Sequence, residues 1–165
     1  MDTIMIGIDN GLKGAVAVIQ GTEVVVFDMP VIIEDKGKKT HNRFDDRAMA
    51  NIVSKYKDLD HFVVLEAAQA FPKQGGVSNF STGLGFGIWR GILAALGMKY
   101  QIIHPKTWQK VYSIAGDTKG IALQVVKRMY PKVEVVGPKG GVKDGRVDAL
   151  LMADFAKRIY QGGAS

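Results

Sequence analysis

The chain has no cysteine among its 165 residues, and only three histidines, five prolines and two tryptophans. Without cysteine there is neither a disulfide framework nor a thiolate metal site, and the absence suits the cytoplasm, the expected location. The histidines form no convincing ligand cluster. No apolar run is long enough to span a bilayer and the N-terminus lacks the basic-then-apolar order of a signal peptide, so no membrane association is expected. No linker, repeat or low-complexity tract divides the sequence. Residues 1–165 are therefore expected to form a single domain, large enough for a core without covalent staples.

What is present is glycine, apolar bulk and positive charge: 20 glycines, 47% hydrophobic residues, a formal net charge of +6 and a pI near 9.5. The glycines imply many special backbone positions rather than disorder. The basicity favours a polyanionic partner, with plain solubility as the blander explanation.

The organising stretch is Ile4-Met-Ile-Gly-Ile-Asp9-Asn-Gly-Leu-Lys-Gly14-Ala-Val-Ala-Val18. Ile4, Ile6 and Ile8 alternate with Met5, Gly7 and Asp9, the period of a strand. Gly11 and Gly14 are expected to supply positive φ and close backbone approach in the following hairpin. A carboxylate within such a run needs a partner if it is buried. Asp9 reads either as an Asx-type turn residue or as a metal ligand.

Glu23–Met29 predicts a third strand, reached through a turn at residues 20–22. Residues 31–43, with Lys36, Lys38, Lys39, His41 and Arg43, read as a mobile loop, either a solvated connection or an arm along a DNA backbone. Phe44, Ala48, Ile52 and Tyr56 mark one stripe of a helix over about 44–57. His61–Glu66 is a strand that again stops on an acid. Residues 67–83 are rich in Ala, Gly, Gln and Ser, and a helix is expected from about Gly85 to Leu96, ended by Gly97. A brief strand at 100–103 precedes His104-Pro105 and a short helix carrying Trp108. A further helix follows Gly116-Asp117-Thr118, with Ile121, Val125 and Met129 on one face. After a Gly- and Lys-rich loop at 131–143, Asp144 opens a last helix with Val147, Leu151, Phe155 and Ile159 in register. The order predicts an α/β fold: a mixed five-stranded sheet, three meander strands antiparallel and two parallel, flanked by helices.

Asp144 and Asp148 lie one turn apart on the same helix face. Asp144 has a ready structural use at a helix N-terminus; Asp148, entering the apolar stripe, has less. Asp9, Glu66, Asp144 and Asp148 make a hard-oxygen set suited to Mg²⁺ or Mn²⁺. Two such ions about 3.5–4 Å apart serve phosphodiester hydrolysis.

Taken together, the strand ending in Asp9 with its glycine turn, Val-Val-Leu-Glu66, and Lys-Asp144-Gly-Arg-Val-Asp148-Ala-Leu-Leu resemble the RuvC-type Holliday-junction resolvases of the RNase H-like superfamily. The likeness covers nearly the whole chain in the right order and is greater for glycine-rich, phage-like variants. It implies an RNase H-like fold, a homodimer, two Mg²⁺ ions per site (Mn²⁺ substituting) and structure-selective cutting of four-way junctions and other branched DNA. By position it makes Asp9, Glu66 and Asp148 metal ligands. The family's helix pair is spaced i, i+3, whereas here the spacing is i, i+4 with Gly145 in the family's place, so Asp144 either replaces that ligand or caps the helix. Lys110 and Lys119 match the family's basic residues at the phosphates, with Lys106 beside them. The helix containing Arg90 resembles the one that forms much of the dimer contact, and Arg90 itself is expected to bind DNA. Phe71, near Lys73, matches an apolar wedge that opens the junction centre, with Phe80 as a substitute. The basic loops, Lys36, Lys38, Lys39 and Arg43 on one side and Lys139, Lys143 and Arg146 on the other, are expected along the DNA backbone. No nucleotide cofactor is implied.

Three rivals share parts of this pattern. A related nuclease could act on forks or RNA-containing substrates, and an inactive relative could bind DNA as a dimer. An actin- or sugar-kinase-like nucleotide-binding protein has a similar first phosphate loop but needs two lobes, which 165 residues do not provide.

Overall fold

The computed structural model describes residues 2–35, 37, 40–69, 75–116 and 119–162, without the side chains of Thr40 and Lys119. In chain order the elements are β1 (Ile4–Asp9), β2 (Ala15–Gln20), β3 (Glu23–Asp28), β4 (Val31–Asp35), β5 (Thr40–Phe44), α1 (Asp46–Ser54), β6 (His61–Glu66), α2 (Gly76–Ala95), β7 (Tyr100–Ile103), α3 (Pro105–Val111), α4 (Lys119–Met129) and α5 (Asp144–Gly162). Five strands form one sheet in the order β3-β2-β1-β6-β7. The β1–β2 and β2–β3 pairs are antiparallel, and the β1–β6 and β6–β7 pairs parallel. This is the sheet expected from the strand order.

The period-2 alternation of β1 sorts its residues onto two faces. Ile4, Ile6 and Ile8 join Val16, Val18, Val63 and Leu65 beneath α1 and α2, with Met49, Val53, Trp89 and Leu93. Met5 lies on the opposite face with Ala15, Ala17 and Val64, beneath α3, α4 and α5. On that face the strands thin to glycine and alanine. A Cβ on Gly7 would strike the Ala149 carbonyl and the Ala153 amide of α5. Glycine there lets α5 lie directly on the central strand. From Ala149 to Ala156 the helix is buried on every side, wider than the single stripe its sequence suggests.

Several local expectations are corrected. Residues 31–43 are not an open loop: β4 and β5 form an antiparallel two-stranded sheet from Val31↔Phe44 to Asp35↔Thr40. Apart from Phe44, which is buried, its described side chains are exposed or half-buried, so no apolar alternation marks it. Helix α1 starts at Asp46 rather than 44, because the Asp45 side chain accepts from the Ala48 N–H at 3.0 Å and caps it. Helix α2 begins at Gly76, nine residues before the expected start. Its end is as expected: Gly97 has φ 66°, and the bonds Gly97 N–H to Ala94 O and Met98 N–H to Leu93 O close it. In α4 the buried residues are Ala122 and Val126, while Ile121 faces out; the stripe is rotated by one residue because the smaller Ala122 is the one packed into the core. Gly11 and Gly14 do not take positive φ. Gly14 is required for close approach, since a Cβ there would meet the Asp9 backbone.

Candidate functional site

Asp9 and Glu66 close adjacent parallel strands, whose register runs to Ile8↔Leu65. Alternation turns both toward the face that carries α5, because Met5 and Val64, on the same phase, lie in that layer. Helix α5 arrives there by a second glycine contact: a Cβ on Gly145 would collide with the Lys13 carbonyl and Gly14 backbone. Its first turn is thus seated on the β1–β2 turn. Asp148 follows one turn in, half-buried, while Asp144 is the first helical residue and exposed. The sheet end and the helix start therefore bring together acids separated by up to 139 positions in the chain (148 − 9).

Electrostatics reports the same convergence. Burial pushes the Asp9 carboxyl up from its ordinary value, against the pull of the Gly11 N–H, which donates to Oδ1 at 3.2 Å. Glu66 is pushed up to about 8, first by burial and then by the Asp9 charge, with Asp148 adding to it; the Trp108 hydrogen bond acts the other way. Like charges in a low-dielectric site are the cause.

Glu66 is also held mechanically. Asn10, buried behind Asp9, donates Nδ2–H to the Glu66 carbonyl at 2.6 Å. Trp108 of α3 donates its indole N–H to Glu66 Oε1 at 3.0 Å. A cleft of about 330 Å³ opens beside Glu66, lined also by Asn10, Gln69, Thr82, Lys106 and Gln109. Asn10 and Trp108 as partners of Glu66 were not among the expected site residues. Asn10 adjoins Asp9 in sequence, which is a signal of a kind. Nothing in the sequence ties Trp108 to an acid 42 residues earlier.

The remaining expected site residues divide. Lys106 and Lys110 are exposed on α3. Arg90 is exposed on α2 and lies over the Phe86 ring, 5.6 Å from its centroid. Arg43 pairs with Glu34 at 2.6 Å on the hairpin. Lys139 is exposed in the 131–143 segment. Arg146 and Lys143 are tied to Asp28 of the edge strand: Arg146 bonds both carboxylate oxygens, at 2.7 and 3.0 Å, and Lys143 approaches to 3.5 Å. Arg146 also donates to the Glu134 carbonyl. Lys36, Lys38, Lys39, Phe71 and Lys73 lie outside the described residues, as does the Lys119 side chain, although Lys119 itself begins α4. Phe80 is 71% exposed on α2, in one row with Val77 and Leu84.

Whether the acids fit a divalent ion follows from their chemistry. Among the described residues no group of three or more His, Cys, Asp or Glu side chains is arranged to hold an ion. The donors at the sheet end are all hard oxygens, and Asp9 and Asp148 both disfavour ionisation of the half-buried Glu66. A divalent cation relieves both the burial and the repulsion. As hard-oxygen donors these carboxylates are of the kind that suits Mg²⁺ or Mn²⁺.

The sheet order, its three antiparallel and two parallel strands, and helices on both faces define an RNase H-like fold. Within that class the chain is similar to RuvC. It aligns with the Thermus thermophilus RuvC structure at a TM-score of 0.60 and 14% identity, covering 96% of this chain and 97% of that one. With T. thermophilus RuvC in complex with a Holliday junction substrate the TM-score is 0.55 at 12% identity, covering 94% and 96%. At such identities the likeness is one of fold. No protein-family model matches the sequence, and no curated protein matches it.

Proposed function

We propose that this protein is a divalent-metal-dependent, structure-selective endodeoxyribonuclease that cuts Holliday junctions and other branched DNA as a homodimer. The observation that carries the reading is the acid group itself: half-buried Glu66, whose ionisation the charges of Asp9 and Asp148 oppose, at the end of the interior strands where α5 begins. Such a group has no use in a passive core and is costly to keep without a cation. Asp9, Glu66 and Asp148 would hold the metal, with Asp144 one turn away at the helix start. When bound, two Mg²⁺ ions would supply activation of the attacking water and stabilisation of the leaving 3′ oxygen, giving 5′-phosphate and 3′-hydroxyl ends.

The rest is done by the chain. Gly11 fixes one Asp9 oxygen, and Asn10 and Trp108 fix Glu66. Lys106 and Lys110 on α3, with Lys119, would offset phosphate charge beside the acids. The basic segments around Arg43 and Lys139 add backbone contacts, so affinity should fall steeply with salt. The choice of a four-way junction is supported by the RuvC complex of the same fold. The homodimer is supported by the exposed apolar row Val77, Phe80 and Leu84 on α2, and two-fold symmetry suits a substrate with equivalent opposing strands.

The test presents purified protein with a four-way junction, a replication fork and an RNA–DNA hybrid, with Mg²⁺ or with EDTA. Paired nicks in the junction that vanish with EDTA are expected. Preferential cutting of the hybrid would move the protein to an RNA-directed relative. Binding without cutting at any metal concentration would leave a DNA-binding dimer.

A further inference from the structure

The protein buries both of its tryptophans completely, one on each side of the sheet. Trp89 of α2 keeps its indole Nε1 without a hydrogen-bond partner, the one buried side-chain polar atom of the described residues in that state. Trp108 of α3 does not: its Nε1–H meets Glu66 Oε1 at 3.0 Å. The fold therefore tolerates an unpaired buried indole N–H, and core packing alone does not require the bond that Trp108 makes.

The acceptor is also singular. The Glu66 main chain is already anchored, since Asn10 Nδ2–H holds its carbonyl at 2.6 Å and the next amide, Ala67, bonds to Ile103 O at 2.9 Å. The side chain alone remains free to rotate at the end of a fixed strand. A single rigid donor, locked in the core by its ring, removes that freedom. The residue that caps α3, Tyr112, fastens it to α5 through its hydroxyl, which donates to Asp154 at 2.6 Å. The donor is thus referenced to the helix that carries Asp148.

We propose that Trp108 is a positioning residue for divalent-ion binding: its indole N–H sets the orientation of the Glu66 carboxylate, and Asn10 sets the strand end from which that carboxylate projects. The inference rests on the reading of Glu66 as a metal ligand. Partners one step removed from the ion typically contribute 10–100-fold in metal affinity by orienting the ligand. The same short helix presents Lys106 and Lys110, so a displacement of α3 reaches the acid through the indole.

The experiment is Mn²⁺ titration calorimetry on the whole chain, wild type beside Trp108→Phe, Trp89→Phe and Glu66→Gln, with thermal melts to establish folding. Phenylalanine keeps an aromatic ring and removes only the N–H and part of the bulk. Trp108→Phe is expected to weaken Mn²⁺ binding about tenfold, and Trp89→Phe to leave it within about twofold, because its N–H has no acceptor to orient. A second readout is emission on adding Mg²⁺. Trp89→Phe, whose sole indole is Trp108, should change on ion binding, and this change should vanish when Glu66→Gln is added. If Trp108→Phe does not fold, the emission of Trp89→Phe decides alone: a Glu66-dependent response supports the inference and a silent indole overturns it. Unchanged Mn²⁺ affinity in folded Trp108→Phe, with binding lost in Glu66→Gln, would reduce Trp108 to core packing while sparing the metal site. Failure of the wild type to bind Mn²⁺ would remove the metal reading, and this inference with it.

Discussion

The two faces of the sheet are written in alternate residues of the same strands, yet they are built by opposite rules. Toward α1 and α2 the central strand presents Ile4, Ile6 and Ile8, which fill the space with branched side chains. Toward α5 it presents Met5, Gly7 and Asp9, which lose bulk and then gain charge along the strand. On the first face the contact is made by side chains, apart from Gly85 of α2, where a Cβ would meet the Asn10 carbonyl and the Phe44 ring. The second removes side chains so that α5 touches backbone, and the acids stand where that close approach begins. Packing and chemistry are separated by one residue of register, and a slip of that size would press the isoleucines against α5 and turn Asp9 into the apolar layer beneath α1 and α2.

The largest expected effect sets neighbours on the two faces against each other. Asp9→Asn should lower junction cutting by at least about a thousandfold and leave junction affinity intact, since no phosphate-binding cation is lost; Ile8→Val should cut normally and lose about 1 kcal/mol of stability. Joint loss of binding and cutting in Asp9→Asn would break the contrast. Next, Gly7→Ala should destabilise by about 3 kcal/mol or more in urea unfolding, because the obstructing atoms are helix backbone and cannot rotate away. A loss below about 1 kcal/mol would mean that α5 is not pinned to β1.

A pH series separates two acids of the α5 layer. Glu66 has a folded pKa above its unfolded one, so its contribution to metal-free stability is complete below about pH 4.5 and is lost as pH rises through about 8. Glu66→Gln should flatten that decline, worth a few kcal/mol. Asp154 behaves in the opposite sense. Burial raises its pKa, but the bonds from Tyr112, Arg158 and Tyr130 outweigh that and hold it below the usual carboxylate range. Its contribution is present above about pH 4 and disappears as pH falls below. Asp154→Ala, which strips the acceptor from two tyrosines and Arg158, should cost about 2 kcal/mol at neutral pH. The smallest effect belongs to Arg146→Ala, about 1 kcal/mol in thermal or urea unfolding, through the partly exposed pair with Asp28.

How much of this was legible varies with how far each feature depends on its own stretch of chain. The five-stranded sheet could be read because its strands alternate or run apolar, and His61–Glu66 repeats the acid-ended pattern of Ile4–Asp9. The hairpin at Val31–Phe44 could not, because neither face is buried deeply enough to leave a period. The first turns of α2 were hidden by glycine, serine and threonine, poor helix formers that are held helical by the folded chain. The acids could be named as candidates from strand ends and helix spacing. The Asp28 carboxylate that occupies Arg146 lies 118 residues away, and the indole on Glu66 lies 42 away; neither partnership leaves a local trace. Long-range polar pairing is what a single sequence conceals.

The central claim is that Asp9, Glu66 and Asp148 serve one divalent-ion site, and anomalous scattering from Mn²⁺ soaked into crystals tests it most directly. The account predicts peaks in contact with carboxylate oxygens of all three residues. Peaks confined to exposed acids such as Asp144, with nothing at the ends of β1 and β6, would contradict it.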